Sequence, residues 1–167
     1  MFLARARYRS RQFFDALRAD VGEADRARVA RYLNPEQQRL LHAMALRDQR
    51  HALDVLYALE RQGHDDEALL AAALLHDVGK GGIRLWERVA FVLLKAASPR
   101  LLERVASEGG AGWRRALWRS LHHAELGAAL AEASGAPAET VRLIRMHKEQ
   151  GAADPLLALL RQADESL

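Results

Sequence analysis

The sequence predicts an all-α protein built around one hydrophobic core, and three observations support that prediction. Half of the residues are hydrophobic but only 6% are aromatic, and the abundant Leu, Ala, Arg and Glu all favour helices. No segment alternates apolar and polar residues with a period of two, so no strand is predicted. Pro and Gly punctuate a series of helical segments, and 167 residues suffice for a single domain.

Helix signals are clear in the first half of the chain. Residues 10–32 are predicted to form one or two helices. The string Asn34-Pro35-Glu36-Gln37 then places Asn at the N-cap, Pro at the first helical position and Gln at the third. This helix is predicted to run to about Arg61 and to end before Gly63.

The next predicted helix covers about Asp66 to Val78 and differs from its neighbours in composition. Its centre, Ala68 to Leu75, is apolar at every position. A helix without a polar face is typical of a buried central position. The remaining helices are predicted at 83–97, from Ser98-Pro99 to Glu108, at 112–134 with a break near Ser120, at about 138–149, and from Asp154-Pro155 to the C-terminus.

Composition excludes several classes of site. The chain has no cysteine, which excludes disulfides, zinc ribbons and iron–sulfur clusters. The net charge of +3 does not by itself indicate nucleic acid, and specific nucleic-acid binding is not expected. No apolar run is long enough to span a membrane, and the start lacks the apolar region of a signal peptide. We therefore expect a cytoplasmic protein.

A candidate site lies at the end of the most apolar helix, in the string Leu74-Leu75-His76-Asp77-Val78-Gly79-Lys80. Burying an unpaired carboxylate is costly, so a compensating charge is needed. A cation is the simplest candidate, and the negative end of the helix dipole favours it. The alternative is that His76 and Asp77 form a hydrogen-bonded pair that caps a buried helix.

Other polar residues fall on helix faces that should be apolar. His51 shares a stripe with Met44, Asp48, Val55 and Ala58, and three later helices each carry one such polar residue. Each could be a satisfied core residue when taken alone. Together they make a set of four His and two Asp, which suits two divalent ions that prefer nitrogen and oxygen. The full set is His51, His76, Asp77, His123, His147 and Asp164.

This ordered set, with the Leu-Leu-His-Asp-Val-Gly-Lys and His-x-Glu-x-Gly strings, resembles the HD-domain superfamily of metal-dependent phosphohydrolases. The resemblance covers about residues 47–167, and residues 1–46 are expected to pack as N-terminal helices on that HD domain. It implies a helical bundle with a buried central metal site. His123 is preferred over His122 because only His123 fits the second string.

The resemblance also implies roles for individual residues. His51, His76, Asp77 and Asp164 match the ligands of a first metal, and His123 with His147 match the added ligands of a second. Asp77 would bridge two divalent ions (Mn, Fe, Mg, Co or Ni) that activate water and bind phosphate. Asp77 and Lys80 are therefore the candidate catalytic residues. Lys80 and Arg47 are candidates for binding the substrate phosphate.

The implied activity is hydrolysis of a small phosphate mono- or diester, with a nucleotide favoured. Residues 81–120 hold eight Arg or Lys against three Glu, which is typical of a solvated face or of a surface that attracts a polyanion. The chain lacks the doubled His and the Gly-Tyr-Pro of the class that hydrolyses cyclic di-GMP. Two alternatives stay open: a diiron oxygenase of the same superfamily, similar to inositol oxygenase, and a metal- or nucleotide-binding module without turnover.

Overall fold

The computed structural model describes residues 21–149 and 154–167, and within them the fold is all-α, as predicted, with no strand. A short 3₁₀ turn, Val78–Lys80, follows the fourth helix. The helices are α1 (Glu23–Tyr32), α2 (Pro35–His42), α3 (Leu46–Arg61), α4 (Glu67–Leu75), α5 (Leu85–Ala97), α6 (Pro99–Val105), α7 (Trp113–Ala133), α8 (Ala138–Met146) and α9 (Pro155–Glu165). The part of the first prediction that falls on residues 10–20 lies outside the described residues.

Several predicted helix ends are confirmed by their local hydrogen bonds. The Asn34 side chain accepts from the backbone N–H of Gln37, and the Gln37 side chain accepts from the N–H of Asn34, so α2 begins with a capping box. Gly63 has a φ of 84°, and the N–H of His64 returns to the carbonyl of Leu59. This is a Schellman ending, which needs a residue that tolerates left-handed backbone.

The single helix predicted from Pro35 to about Arg61 is wrong, because the chain breaks between α2 and α3. The side chain of Gln49 donates to the carbonyls of Met44 and His42, at 2.9 and 3.2 Å. These bonds satisfy groups that the break leaves without helical partners. The predicted break near Ser120 is also wrong, since α7 is continuous and the Ser120 hydroxyl donates to the carbonyl of Ala116.

Helix α4 occupies the centre of the bundle. It contacts α1, α2, α3, α8 and α9, and every residue from Leu69 to Leu75 is buried. The prediction of a buried central helix is confirmed, although α4 ends at Leu75 rather than at Val78. Because α4 is enclosed on all sides, the residues directly after it enter the interior of the protein.

Two glycines let α7 lie directly against the turn after α4. A Cβ atom on Gly79 would lie 2.0 Å from the carbonyl oxygen of His123 and 2.7 Å from the nitrogen of Gly127. A Cβ on Gly127 would lie 3.3 Å from the nitrogen of Gly79. The glycines of both sequence strings therefore permit a close backbone approach. This contact brings His123 next to the end of α4.

Candidate metal centre

The centre begins where α4 ends. His76 is the C-cap residue of α4, and Asp77 comes next, before the 3₁₀ turn. His76 is completely buried and Asp77 is only 2% exposed. The sequence placed both residues within a longer helix, whereas they lie in the turn just beyond its end. The helix terminus still directs its carbonyl groups toward this region.

Four other helices bring the remaining predicted residues to the same point. His51 comes from α3, His123 from α7 and Asp164 from α9, while His147 is the C-cap residue of α8. The His51 Nε2 atom lies 2.8 Å from the Asp164 Oδ1 atom, and His76 Nε2 lies 3.6 Å from the same oxygen. All six predicted residues therefore converge.

Asp77 connects the two halves of this cluster. Its Oδ2 atom lies 3.6 Å from His76 Nε2, and its Oδ1 atom lies 3.6 Å from His123 Nε2. Ligand atoms of His51, His76 and Asp77 lie within 4.8 Å of one another, and so do those of Asp77, His123 and His147. Two groups of three donors thus share one carboxylate.

Three of the histidines are oriented by the same local contact. The Nδ1 atoms of His76, His123 and His147 lie 2.9, 2.8 and 2.6 Å from the backbone carbonyl three residues earlier. A carbonyl oxygen only accepts, so each Nδ1 donates a hydrogen bond. When the imidazole is neutral, its free electron pair is then on Nε2, which faces the cluster.

Burial and charge set the protonation of these groups. Burial lowers the pKa of His123 to about 4 and that of His147 to about 3, so both are neutral near pH 7. Burial alone would lower the pKa of His76, but the carboxylates of Asp77 and Asp164 outweigh it and raise that pKa. Conversely, neighbouring His and Lys side chains outweigh burial and lower the pKa of Asp77 and of Asp164.

A metal fits this donor set. The Nε2 atoms of His76, His123 and His147 and the Oδ1 atom of Asp77 are buried and have no hydrogen-bond partner among the described residues. Buried polar atoms of this kind are rarely left without a partner. Imidazole nitrogen and carboxylate oxygen suit divalent transition metals and Mg²⁺. Divalent cations at this point would give all four atoms a partner.

The remaining predicted residues differ in their distance from the cluster. Lys80 donates to Asp77 Oδ2 at 2.5 Å, and its side chain is 20% exposed. Arg47 is exposed on α3, one turn before His51, and its role in binding substrate stays a prediction. His122 is exposed and its ring contacts Trp118, in agreement with the preference for His123. Glu125 of the second string is also exposed, where it pairs with Arg145.

Sequence reasoning missed two groups beside the cluster. Lys148 donates to Asp164 Oδ2 at 3.1 Å, and its only sequence signal is that it directly follows His147. Asp48 is buried and forms an ion pair with Arg88 of α5, a residue that the sequence assigned either to a solvated face or to a surface that attracts a polyanion. Burial raises the pKa of Asp48, and Arg88 opposes that rise. Each of these two pairs joins opposite charges beside the centre.

A helical bundle whose interior gathers His and Asp side chains defines a class of metal-binding all-α proteins. The family model of the HD domain matches residues 38–166, and the chain therefore belongs to the HD-domain family. The match begins within the segment that we assigned to N-terminal helices. Searches of curated proteins and of solved structures found no significant match.

Membership has direct consequences for the class of activity. HD domains bind divalent metals, and members of the family are generally hydrolases. Within the described part of the chain, no helix is long and apolar enough to cross a membrane. Helices α1 and α2 pack on α4, and the division into N-terminal helices and an HD domain at residue 47 remains a proposal.

Proposed function

We propose that this protein hydrolyses a phosphate ester with two divalent metal ions held by the six converging residues. One observation carries the proposal: four buried ligand atoms have no hydrogen-bond partner among the described residues, and all four belong to the two donor groups that share Asp77. A pair of histidine-bearing donor groups with a shared carboxylate is the arrangement expected for two ions rather than one. Mn, Fe, Mg, Co and Ni are all compatible with these donors.

The six side chains divide into two sets around Asp77. His51, His76 and Asp164 would hold one ion, His123 and His147 the other, and Asp77 would contact both. Such a pair of ions polarises phosphate oxygens and makes a bound water acidic enough to act as a nucleophile. The protein supplies orientation, since three of the imidazoles are held by hydrogen bonds to backbone carbonyls.

Lys80 is the proposed contact for a phosphate oxygen. Its ammonium group rests on Asp77 at the edge of the cluster, and the side chain is partly exposed. Asp77 can exchange this partner for an ion, which would free the ammonium group to face the substrate. Arg47 is the second candidate, and because its side chain is exposed it would contact a part of the ligand outside the buried cluster.

Access to the centre is asymmetric, which constrains the substrate. The exposed fraction of the side chain is zero at His76, 29% at His51 and 49% at Lys148. Substrate would therefore approach from the side of α3 and of Lys148. Two lysines flank the cluster, Lys80 and Lys148, which favours a multiply charged ester such as a nucleotide over a neutral molecule.

Phosphate release tests this function. The chelator-treated protein would be reloaded separately with each of the five metals and assayed with p-nitrophenyl phosphate, bis-p-nitrophenyl phosphate and a nucleotide panel. We expect metal-dependent turnover of at least one substrate, with Lys80→Ala raising KM more than it lowers kcat. Metal-loaded protein that releases no phosphate would contradict the proposal, and oxygen consumption by an iron-loaded form would support the oxygenase instead.

The number of ions can be tested without any substrate. His147→Ala should remove one ion preferentially, because His147 belongs to only one of the two donor groups. Elemental analysis of the purified variant should give about half the metal content of the wild type. His122→Ala is the matched control, since its exposed ring lies outside the cluster, and it should keep the full content. An unchanged content in His147→Ala would indicate a site for a single ion.

A further inference from the structure

Helix α5 differs from an ordinary surface helix in which of its side chains it exposes. Eight of its residues are exposed, and Lys95 is the only charged one among them. Its one buried residue is Glu87, whose carboxylate accepts from the backbone N–H of Arg84. A surface helix normally buries its apolar side and exposes its charges. This arrangement exposes an apolar surface that the rest of the described chain does not cover.

The exposed apolar residues form one continuous strip, which we call the α5 face: Leu85, Trp86, Val89, Val92 and Leu93. Each is between 44% and 63% exposed. At 3.6 residues per turn they fall within an arc of about 120°. An apolar strip with on the order of several hundred Å² of exposed area is as large as the largest patch of an ordinary monomer, and such patches mark binding surfaces.

The charges on α5 and on α6 and α7, the two helices that contact it, identify the kind of partner. Between residues 84 and 115, six exposed side chains are basic and only two, Glu103 and Glu108, are acidic. None of the six forms a salt bridge with another described residue. The six are Arg84, Lys95, Arg100, Arg104, Arg114 and Arg115. A partner must therefore combine an apolar layer with negative charge.

From these observations we infer that the α5 face docks on the surface of an anionic phospholipid bilayer. An amphipathic helix with Trp and Leu on one side and basic residues beside them lies in the plane of the interface, where headgroups meet acyl chains. Helix α5 has 13 residues, or about 20 Å, which is too short to span a bilayer. A second copy of the chain fits less well, because a symmetric contact would bring the six basic side chains of one copy close to those of the other.

Vesicle sedimentation with the full-length protein tests this inference. We expect binding to vesicles of phosphatidylcholine mixed with phosphatidylglycerol, weaker binding at high salt, and little binding to phosphatidylcholine alone. Leu93→Gln should weaken partition about tenfold, since burial of one leucine is lost. Leu46→Gln is the matched control, because Leu46 is 57% exposed on α3 and is not part of the α5 face, and it should bind like the wild type.

The role of the six basic side chains and the depth of insertion into the bilayer can be tested separately. Arg100→Gln and Arg104→Gln should each weaken binding about fivefold, whereas Arg61→Gln, an exposed charge on α3, should have little effect. Trp86 fluorescence should shift to shorter wavelength on binding, and Trp86→Phe should lose that shift. Circular dichroism would verify that each variant is folded.

Two results would overturn the inference. One is failure of the folded wild-type protein to bind either type of vesicle. The other is a dimer in sedimentation analysis that Leu93→Gln dissociates, because the α5 face would then be covered by a second copy. Neither result affects the measurement of phosphate release, so the docking surface and the proposed hydrolase activity are tested independently.

Discussion

Helices α4 and α5 are both rich in Leu and Ala, but they occupy opposite environments. Helix α4 is buried from Leu69 to Leu75 and contacts five other helices. Helix α5 contacts α6 and α7, and exposes Trp86, Leu93 and three other apolar side chains to solvent. The difference shows that an apolar helix has a surface that favours burial. Whether other helices of the same chain bury that surface depends on the rest of the molecule.

The two helices also contribute differently to the metal centre. The end of α4 places His76 and Asp77 inside the protein, where His76 Nε2 and Asp77 Oδ1 have no hydrogen-bond partner among the described residues. Helix α5 contributes Arg88, which pairs with buried Asp48 on its inner side, but none of the six candidate ligands. One helix thus leads into the candidate centre, and the other packs beside it while its apolar face is exposed to solvent.

The largest effect on metal content and turnover is expected for Asp77, which lies just after the end of α4. Asp77→Asn keeps the shape of the side chain but removes the charge shared by both donor groups. We expect loss of bound metal and a fall of about 1000-fold in turnover, since metal ions contribute several kcal/mol to such reactions. Elemental analysis and phosphate release measure both. Asp65→Asn, an exposed carboxylate before α4, should change neither, and full metal content in Asp77→Asn would refute the bridging role.

A matched pair of leucines tests the comparison of the helices directly. Leu74 on α4 is completely buried, and Leu93 on α5 is 63% exposed. Leu74→Ala should lower the free energy of unfolding by about 2–5 kcal/mol, because it leaves a cavity. Leu93→Ala should change it by about 0.5 kcal/mol or less. Denaturant titration measures both values, and similar losses would mean that α5 is covered in solution.

A smaller effect than that of Leu74→Ala is expected from the turn between the two helices. Gly79→Ala should destabilise the protein by about 1–3 kcal/mol and reduce metal content, because the new Cβ would push α7 and His123 away. Gly82→Ala is the control, since a Cβ there would meet nothing within 4 Å. Thermal unfolding compares the two variants. Equal stability would show that α7 can shift without cost.

Much of the candidate centre was predictable because its signals are local or chemically costly. A His and an Asp that follow eight apolar residues need hydrogen-bond or charged partners wherever they are buried. Four further polar residues interrupt apolar stripes. The structure brings all six together, and their roles as ligands stay predictions. Lys148 was not predicted because a lysine next to a histidine in sequence is usually solvated. Its contact with Asp164 is visible only in the structure.

Capping boxes, glycine endings and the burial of α4 could be derived from short stretches of sequence, because the groups that satisfy them lie within a few residues. The break before α3, the ion pair of Asp48 with Arg88 and the outward face of α5 could not. Each of these depends on partners brought together, or left apart, by packing over long distances. The helix pattern is a property of neighbours along the chain, whereas burial is a property of the assembled bundle.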